Sequence, residues 1–158
     1  MRKLIIFGNT YFAEIAIKYF TEDSPFTVVG LTVNEKYMEN NTFTANLPTY
    51  PFEKLNDLID IKDTYIYVAC TYHKMNTIRQ DILEKCLNLG FKPASYISSK
   101  TTCLSNDFGY HNFIFEDNTI QPFVKIGNNN IMWSGNHVGH HSIVGNNNFI
   151  TGHVVLSG

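Results

Sequence analysis

FGYHNF-IFEDNT-IQPFVK-IGNNNI-MWSGNH-VGHHSI-VGNNNF-ITGHVV-LSG is the chain from Phe108 to Gly158, written in sixes. The first residue of every block is apolar: Phe108, Ile114, Ile120, Ile126, Met132, Val138, Val144, Ile150 and Leu156. A helix repeats about every 3.6 residues and a strand every 2, and neither period produces sixes. A hexapeptide period instead marks a parallel β-helix, in which each block is one short strand and the blocks wind into a solenoid. The leading apolar residues then stack as one internal column. Gly109, Gly127, Gly139 and Gly145 each follow a column residue, and the expectation is that the chain bends there around a corner. Such a rod can be a scaffold and nothing more, so any chemistry depends on what projects from it.

Upstream of the hexads the pattern changes. Lys3 to Phe7 is an apolar run ending at Gly8, and Phe12, Ile15, Ala16, Tyr19 and Phe20 follow at helical spacing. Phe26 to Val33 predicts a second buried strand, and the polar stretch from Lys36 to Thr49 a loop. Phe52 to Ile59 predicts a short helix with Pro51 as its first helical residue. Tyr65 to Cys70 is rich in β-branched and aromatic residues and predicts a third strand. Lys74 to Leu89 predicts an amphipathic helix, with Met75, Ile78, Ile82, Leu83, Cys86 and Leu89 on one side and Gly90 as its stop. Ala94 to Ile97 predicts a fourth strand, and the residues from Ser98 to Asp107 a connector. Strands alternating with helices imply a parallel α/β sheet. The expected organisation is a Rossmann-like domain over residues 1–98 and a parallel β-helix over 99–158, with the natural chain continuing past Gly158, since repeat arrays need capped ends.

Composition narrows the function classes. The chain has 158 residues, 44% hydrophobic and 16% charged, with a formal net charge of −2. That balance argues against nucleic acid as a partner. Cys70, Cys86 and Cys103 form no CxxC pair and read as free thiols in a reducing compartment. Arg2 and Lys3 precede a short apolar run, but Asn9, Glu14 and Lys18 interrupt it before any signal-peptide cleavage site. No stretch approaches the roughly 20 apolar residues of a membrane span. The expected location is the cytoplasm.

A parallel sheet binds ligands beyond the carboxyl ends of its strands. Those ends carry Gly8-Asn9-Thr10, Asn34-Glu35 and Thr71-Tyr72-His73. One glycine in the first turn is not the G-x-G-x-x-G fingerprint, which argues against a dinucleotide, yet a helix N-terminus there suits a phosphate. Asn34 and Glu35 are candidates for ribose hydroxyls, and Tyr72 either stacks on a base or caps the sheet. In the solenoid, His137, His140, His141 and His153 read as a cluster at one corner, with His137 at the corner and His140 and His141 on the flat of the same face. Imidazole is the usual general base near neutral pH. The competing chemistry is zinc, as in the gamma-class carbonic anhydrases, but their histidine spacing is not matched here, and the expectation is no metal.

With these residues in view, the whole chain resembles the hexapeptide-repeat sugar acetyltransferases of the sialic acid and bacillosamine type, the nucleotide-amino-sugar N-acetyltransferases. The resemblance implies a left-handed β-helix, a homotrimer, a nucleotide-linked sugar held by the N-terminal domain (Gly8, Asn9, Thr10, Asn34, Glu35, Tyr72 and His73) and acetyl-CoA as co-substrate along the solenoid. The family's block apolar-Glu-His-Asp/Glu-x-apolar-apolar-Gly falls on Val138 to Gly145. It implies His140 as catalytic base, with Gly139 in place of the preceding Glu and His141 in place of the following acid; either His141 or a neighbouring Asn orients His140. A second family histidine falls on Phe149, so that role is either missing or moved to His153 on the cofactor side. Gly158, one turn beyond His140, is implied as the N–H donor to the thioester oxygen. The activity implied is acetyl-CoA-dependent N-acetylation of a nucleotide-linked amino sugar in bacterial-type surface glycan biosynthesis. O-acetylation by the same base, or a non-catalytic trimeric scaffold that binds the nucleotide sugar, are the alternatives.

Overall fold

The structure, a computed structural model, describes residues 2–39 and 46–158. Its contacts divide the chain into two compact units, Met1–His73 with Ile78–Ala94, and Lys74–Thr77 with Ser95–Gly158.

The first unit runs β1 (Arg2–Phe7), α1 (Tyr11–Glu22), β2 (Phe26–Val33), β3 (Thr49–Pro51), α2 (Leu55–Leu58), β4 (Thr64–Val68), α3 (Thr77–Asn88) and β5 (Lys92–Pro93). The five strands are all parallel, in the order β3-β2-β1-β4-β5. Leu4, Ile5 and Ile6 of the central strand are fully buried, as a parallel sheet covered on both faces requires. Phe20 of α1 packs on Phe26 and Tyr67, ring centroids 5.6 and 5.3 Å away. A separate cluster of Phe7, Leu55, Ile66, Val68, Leu83, Cys86 and Phe91 joins α2 and α3 to the strands. The chain leaves β1 toward β2 on one side and reaches β4 on the other, so the strand order reverses between β1 and β4. This is the place where an open α/β sheet leaves a crevice.

Several boundaries differ from the sequence expectation. The predicted loop from Lys36 to Thr49 opens with a 3₁₀ turn at Glu35–Tyr37 and ends in the edge strand β3; its residues 40–45 lie outside the described ones. Pro51 closes β3 rather than opening a helix, and Phe52–Lys54 is a 3₁₀ turn before α2. Helix α3 begins at Thr77, not Lys74. Lys74, Met75 and Asn76 have φ of 47°, 52° and 68°, and Met75 is 89% exposed rather than on the apolar face. The last strand of the sheet is β5, while Tyr96–Ile97, predicted to be in the sheet, pairs with Phe113–Ile114 in the solenoid.

The second unit consists of two-residue strands: β6 (Tyr96–Ile97), β7 (Thr102–Cys103), β8 (Asp107–Phe108), β9 (Phe113–Ile114), β10 (Thr119–Ile120), β11 (Lys125–Ile126), β12 (Ile131–Met132), β13 (His137–Val138), β14 (Ile143–Val144), β15 (Phe149–Ile150) and β16 (Val155–Leu156). They form three parallel sheets, β16-β13-β10-β7, β14-β11-β8 and β15-β12-β9-β6. Each strand pairs with the third strand onward, as Thr119 with His137 and Lys125 with Ile143, a full coil of three blocks. This is the left-handed parallel β-helix of hexapeptide repeats. The presumed connector is part of it: Cys103 and Phe108 are five residues apart, and this short block hides the period from a reading in sixes. Ile114, Ile120, Val124, Ile126, Met132, Val138 and Val144 form the buried interior column, with Cys103, Phe108, Ile150 and Leu156 half-buried against it.

The corners are not where the glycines predicted them. Positive φ falls three residues after the first residue of each six from Phe108 to Ile150, at His111, Asp117, Phe123, Asn129, Gly135, His141, Asn147 and His153. The left-handed region is costly for most L-residues and least so for Asn, Asp and His. Gly109 and Gly127 answer a different constraint. A Cβ on Gly109 would lie 2.7 Å from the Gly127 carbonyl, and one on Gly127 2.7 Å from the Gly145 carbonyl. These glycines let successive coils approach.

Buried asparagines two residues before the column position tie the coils together. Asn112 Oδ1 accepts from Asn130 N–H (2.9 Å), and Asn130 Oδ1 in turn accepts from Asn148 N–H (2.9 Å). Along a second edge, Asn118 Oδ1 accepts from Asn136 N–H (3.1 Å) and Asn136 Oδ1 from Val154 N–H (2.8 Å). The Nδ2 groups donate to turn carbonyls, Asn112 to Gly127 (2.8 Å) and Asn130 to Gly145 (2.9 Å). An unsatisfied buried polar group costs about 1–3 kcal/mol. Asn130→Ala takes the acceptor from the half-buried Asn148 N–H and the donor from the Gly145 carbonyl, and we expect it to lower unfolding free energy by about 2 kcal/mol in urea titration. Asn146→Ala, at an exposed corner, is expected to cost less than about 1 kcal/mol; equal losses at the two positions would contradict the ladder's role.

Candidate active site

In the first unit, a cavity of ≈ 200 Å³ opens at the strand-order reversal. Gly8, Asn9, Thr10, Asn34 and His73, all singled out from sequence, line it. Gly8 has φ of 135°, and a Cβ there would sit 3.2 Å from the Ala69 carbonyl, so the turn accepts only glycine without strain. Thr10 is the N-cap of α1 but makes no side-chain cap bond, and the helix N-terminus begins at the cavity wall. Asn9 is buried and donates its Nδ2 to the Tyr37 carbonyl (3.0 Å), which fixes the 3₁₀ turn as another wall.

Two sequence candidates stand elsewhere. Tyr72 does not line the cavity; it is exposed and stacks on His73, centroids 5.8 Å apart and planes 22° apart. Glu35 is exposed too, and its carboxylate accepts from Lys54 Nζ (2.8 Å) while its backbone N–H donates to Glu53 (2.9 Å). Asn34 donates to the other Glu53 oxygen (3.1 Å). Although slight burial opposes it, hydrogen bonds to the charged form leave the Glu53 carboxyl below its ordinary value.

The residue that sequence analysis missed is Arg79. It is fully buried, and its Nη1 donates to the carbonyls of Thr71 (2.6 Å) and Cys70 (3.3 Å). It thereby holds the turn after β4, whose residues form the cavity wall. Desolvation lowers its pKa, which the Tyr67 and Cys70 groups oppose. The signal was present in the sequence: Arg79, Leu83 and Cys86 share the i, i+4, i+7 face of α3.

In the second unit the histidines do not gather at one corner. His141 occupies a corner with φ of 61°, and its ring lies 4.8 Å from that of Phe123, one coil below. His140 stands beside it, the two Nδ1 atoms 3.1 Å apart. The His140 backbone N–H donates to Gln121 Oε1 (2.9 Å). His153 sits at a different corner, over Gly135, where a Cβ would fall 2.7 Å from its ring. His137 is on strand β13, between Thr119 and Val155, rather than at a corner. Phe149 pairs with Ile131 in the third sheet. The 18-residue register does bring Gly158 over His140: a Cβ on Gly158 would lie 3.2 Å from His140 Nδ1. Both imidazoles of the pair are exposed. Among the described residues, no three His, Cys, Asp or Glu side chains converge as metal ligands, and no helix is long and apolar enough to cross a membrane.

The fold is shared with solved acetyltransferases. The acetyltransferase domain of PglB from Neisseria gonorrhoeae superposes with a TM-score of 0.77 at 19% identity, over 100% of this chain and 75% of that one. The same domain in complex with acetyl coenzyme A gives 0.70 at 18% identity, over 91% and 67%. A histidine-substituted perosamine N-acetyltransferase from Caulobacter crescentus, in complex with CoA and GDP-perosamine, gives 0.62 at 14%, over 97% and 81%. At under a fifth identity these likenesses establish the fold. No family model and no curated protein matches the sequence.

Burial pushes the Cys70 thiol up to about 11 and the Cys86 thiol up to about 12. At pH 8 the Cys70 thiolate is then about one part in a thousand, so this cavity-wall thiol is expected to be inert. Iodoacetamide at pH 8, read by peptide mass spectrometry, should leave Cys70 and Cys86 unmodified; rapid alkylation of Cys70 would contradict the burial.

Proposed function

We propose that the chain is an acetyl-CoA-dependent N-acetyltransferase acting on a nucleotide-linked amino sugar, with His140 as general base. The observation that carries this reading is the pairing of an exposed imidazole, His140, with Gly158 one coil above it, in a fold whose solved members include proteins bound to CoA and to GDP-perosamine. Two of those structures carry a substitution at a histidine. The cavity of the first unit, with its glycine turn and helix N-terminus, suits the phosphates of the nucleotide. Binding energy gathered there orients the reacting amine.

The chemistry is direct transfer. The amine nitrogen attacks the thioester carbon, and His140 Nε2 takes the proton that the nitrogen loses. The carbonyl oxygen becomes an oxyanion, for which the Gly158 N–H is the proposed donor. The tetrahedral species collapses, the C–S bond breaks, and the CoA thiolate leaves and is protonated. His153, at another corner, is proposed only as a contact to the cofactor, without a part in proton transfer.

We place this enzyme in the cytoplasm as a homotrimer. Phe123, Ile143 and Val155 are 69%, 77% and 67% exposed on the solenoid, an apolar surface that a second and third copy would cover.

A panel of UDP-, GDP- and dTDP-linked amino sugars with acetyl-CoA, followed by thiol release, tests the activity. His140→Ala is expected to lower kcat by roughly 10²–10⁴-fold while leaving the Kd for the nucleotide sugar within about twofold. Undiminished turnover in His140→Ala would remove His140 from the reaction.

A further inference from the structure

Arg79 stands on the first turn of α3 with 0% exposure, and its charge takes no part in the transfer described above. Taking a charge out of water is costly. A chain that needed only a tie between α3 and the turn after β4 could have used a neutral amide. The groups whose charges act on Arg79 are Tyr67 and Cys70. Both are neutral near pH 7, because burial pushes the Cys70 thiol up to about 11 and the Tyr67 hydroxyl higher still. A guanidinium keeps its proton at that pH.

The two hydrogen bonds of Nη1 fix the orientation of two peptide groups. It donates to the carbonyls of Cys70 (3.3 Å) and Thr71 (2.6 Å). In a trans peptide the C=O and the N–H that follows it point in opposite directions, and no described peptide is cis. With both carbonyls drawn onto the guanidinium, the N–H groups of Thr71 and Tyr72 are turned away from it. Cys70 and Thr71 line the cavity of ≈ 200 Å³ and Arg79 does not, so the guanidinium lies behind these peptides. The Thr71 N–H donates to no carbonyl among the described residues. The Gly8 turn is adjacent, since a Cβ on Gly8 would lie 3.2 Å from the Ala69 carbonyl. Among the described residues that line the cavity, none is acidic.

From this geometry we infer that Arg79 is a positioning residue for a diphosphate: it turns the Thr71 and Tyr72 N–H groups into the cavity and backs them with a fixed positive charge, so that one phosphate rests on the Gly8–Thr10 turn and the other on these two amides. This rests on the reading of that cavity as the nucleotide site. The guanidinium does not touch the ligand. It acts through the peptides, because a carbonyl that accepts from a cation polarises its own peptide group and makes the N–H a stronger donor. A single phosphate on the Gly8 turn leaves the second pair of amides unused.

The test uses the full chain, with inorganic pyrophosphate and inorganic phosphate as probes in calorimetry. Pyrophosphate should bind at least about tenfold more tightly than phosphate. Arg79→Lys keeps the charge and should hold the pyrophosphate Kd within about threefold. Arg79→Gln keeps an amide donor without the charge and should weaken it about tenfold or more. A tie that is only structural would not separate the two variants by charge. Backbone amide NMR of the unsubstituted protein gives a measurement that does not depend on either variant folding: pyrophosphate should move the Thr71 and Tyr72 amide protons downfield, together with those of the Gly8–Thr10 turn. Unmoved Thr71 and Tyr72 amides, or equal pyrophosphate affinity in Arg79→Lys and Arg79→Gln, would overturn the inference. If pyrophosphate does not bind and the Gly8–Thr10 amides stay in place as well, it is the reading of the cavity as the nucleotide site that fails.

Discussion

The interaction on which the solenoid depends is the hydrogen bond from a backbone N–H on one coil to an asparagine carboxamide on the coil before it. Two-residue strands leave most of each block in turns, and turns buried inside a stack would leave polar backbone groups dry. Asn112, Asn118, Asn130 and Asn136 supply the missing partners, and all four are buried. The apolar column fills the inside of the coil, but it is narrow, and aliphatic contacts alone do not fix how one coil sits on the next. The carboxamides do, since a bond of 2.8–3.1 Å to each neighbour admits one stagger.

The same constraint decides which residues stand at the corners. A left-handed backbone is needed once per block, and the chain meets it with Asn, Asp, His, Gly and, once, Phe. Histidine is among the residues that tolerate this conformation, so an imidazole can occupy a corner at little conformational cost. His141 is there for both reasons at once: its backbone turns the coil, and its ring reaches Phe123 and His140. The ring pair thus stands on a position that the fold already obliges the chain to fill.

How much was legible follows from the period of each signal. The interior column from Ile114 to Val144 is visible in the sequence because every sixth residue is apolar, and the structure buries all of these residues. The start of the solenoid was hidden because the block between Cys103 and Phe108 is one residue short. The glycines misled because Gly109 and Gly127 owe their place to crowding between coils, a property that no local pattern carries. In the first unit, Gly8, Asn9, Thr10, Asn34 and His73 were found from the ends of predicted strands, and the cavity joins them. Arg79 escaped because its partners are backbone carbonyls nine and eight positions away in sequence, which no side-chain pattern names. Lys74 to Asn76 escaped because Met75 fits the apolar period of the helix that follows, whereas the backbone of all three residues is left-handed.

The short block between Cys103 and Phe108 says something about how such a rod can change its length. Strands beyond it recover their pairing at a 17-residue offset, Thr102 with Thr119, and the ladder resumes its usual spacing at once. A deletion taken within one turn is thus absorbed where it occurs and is not passed along the axis. Whole-coil duplications and small losses at a bend are the edits this architecture can survive, while a one-residue change inside a strand would turn the column residues outward.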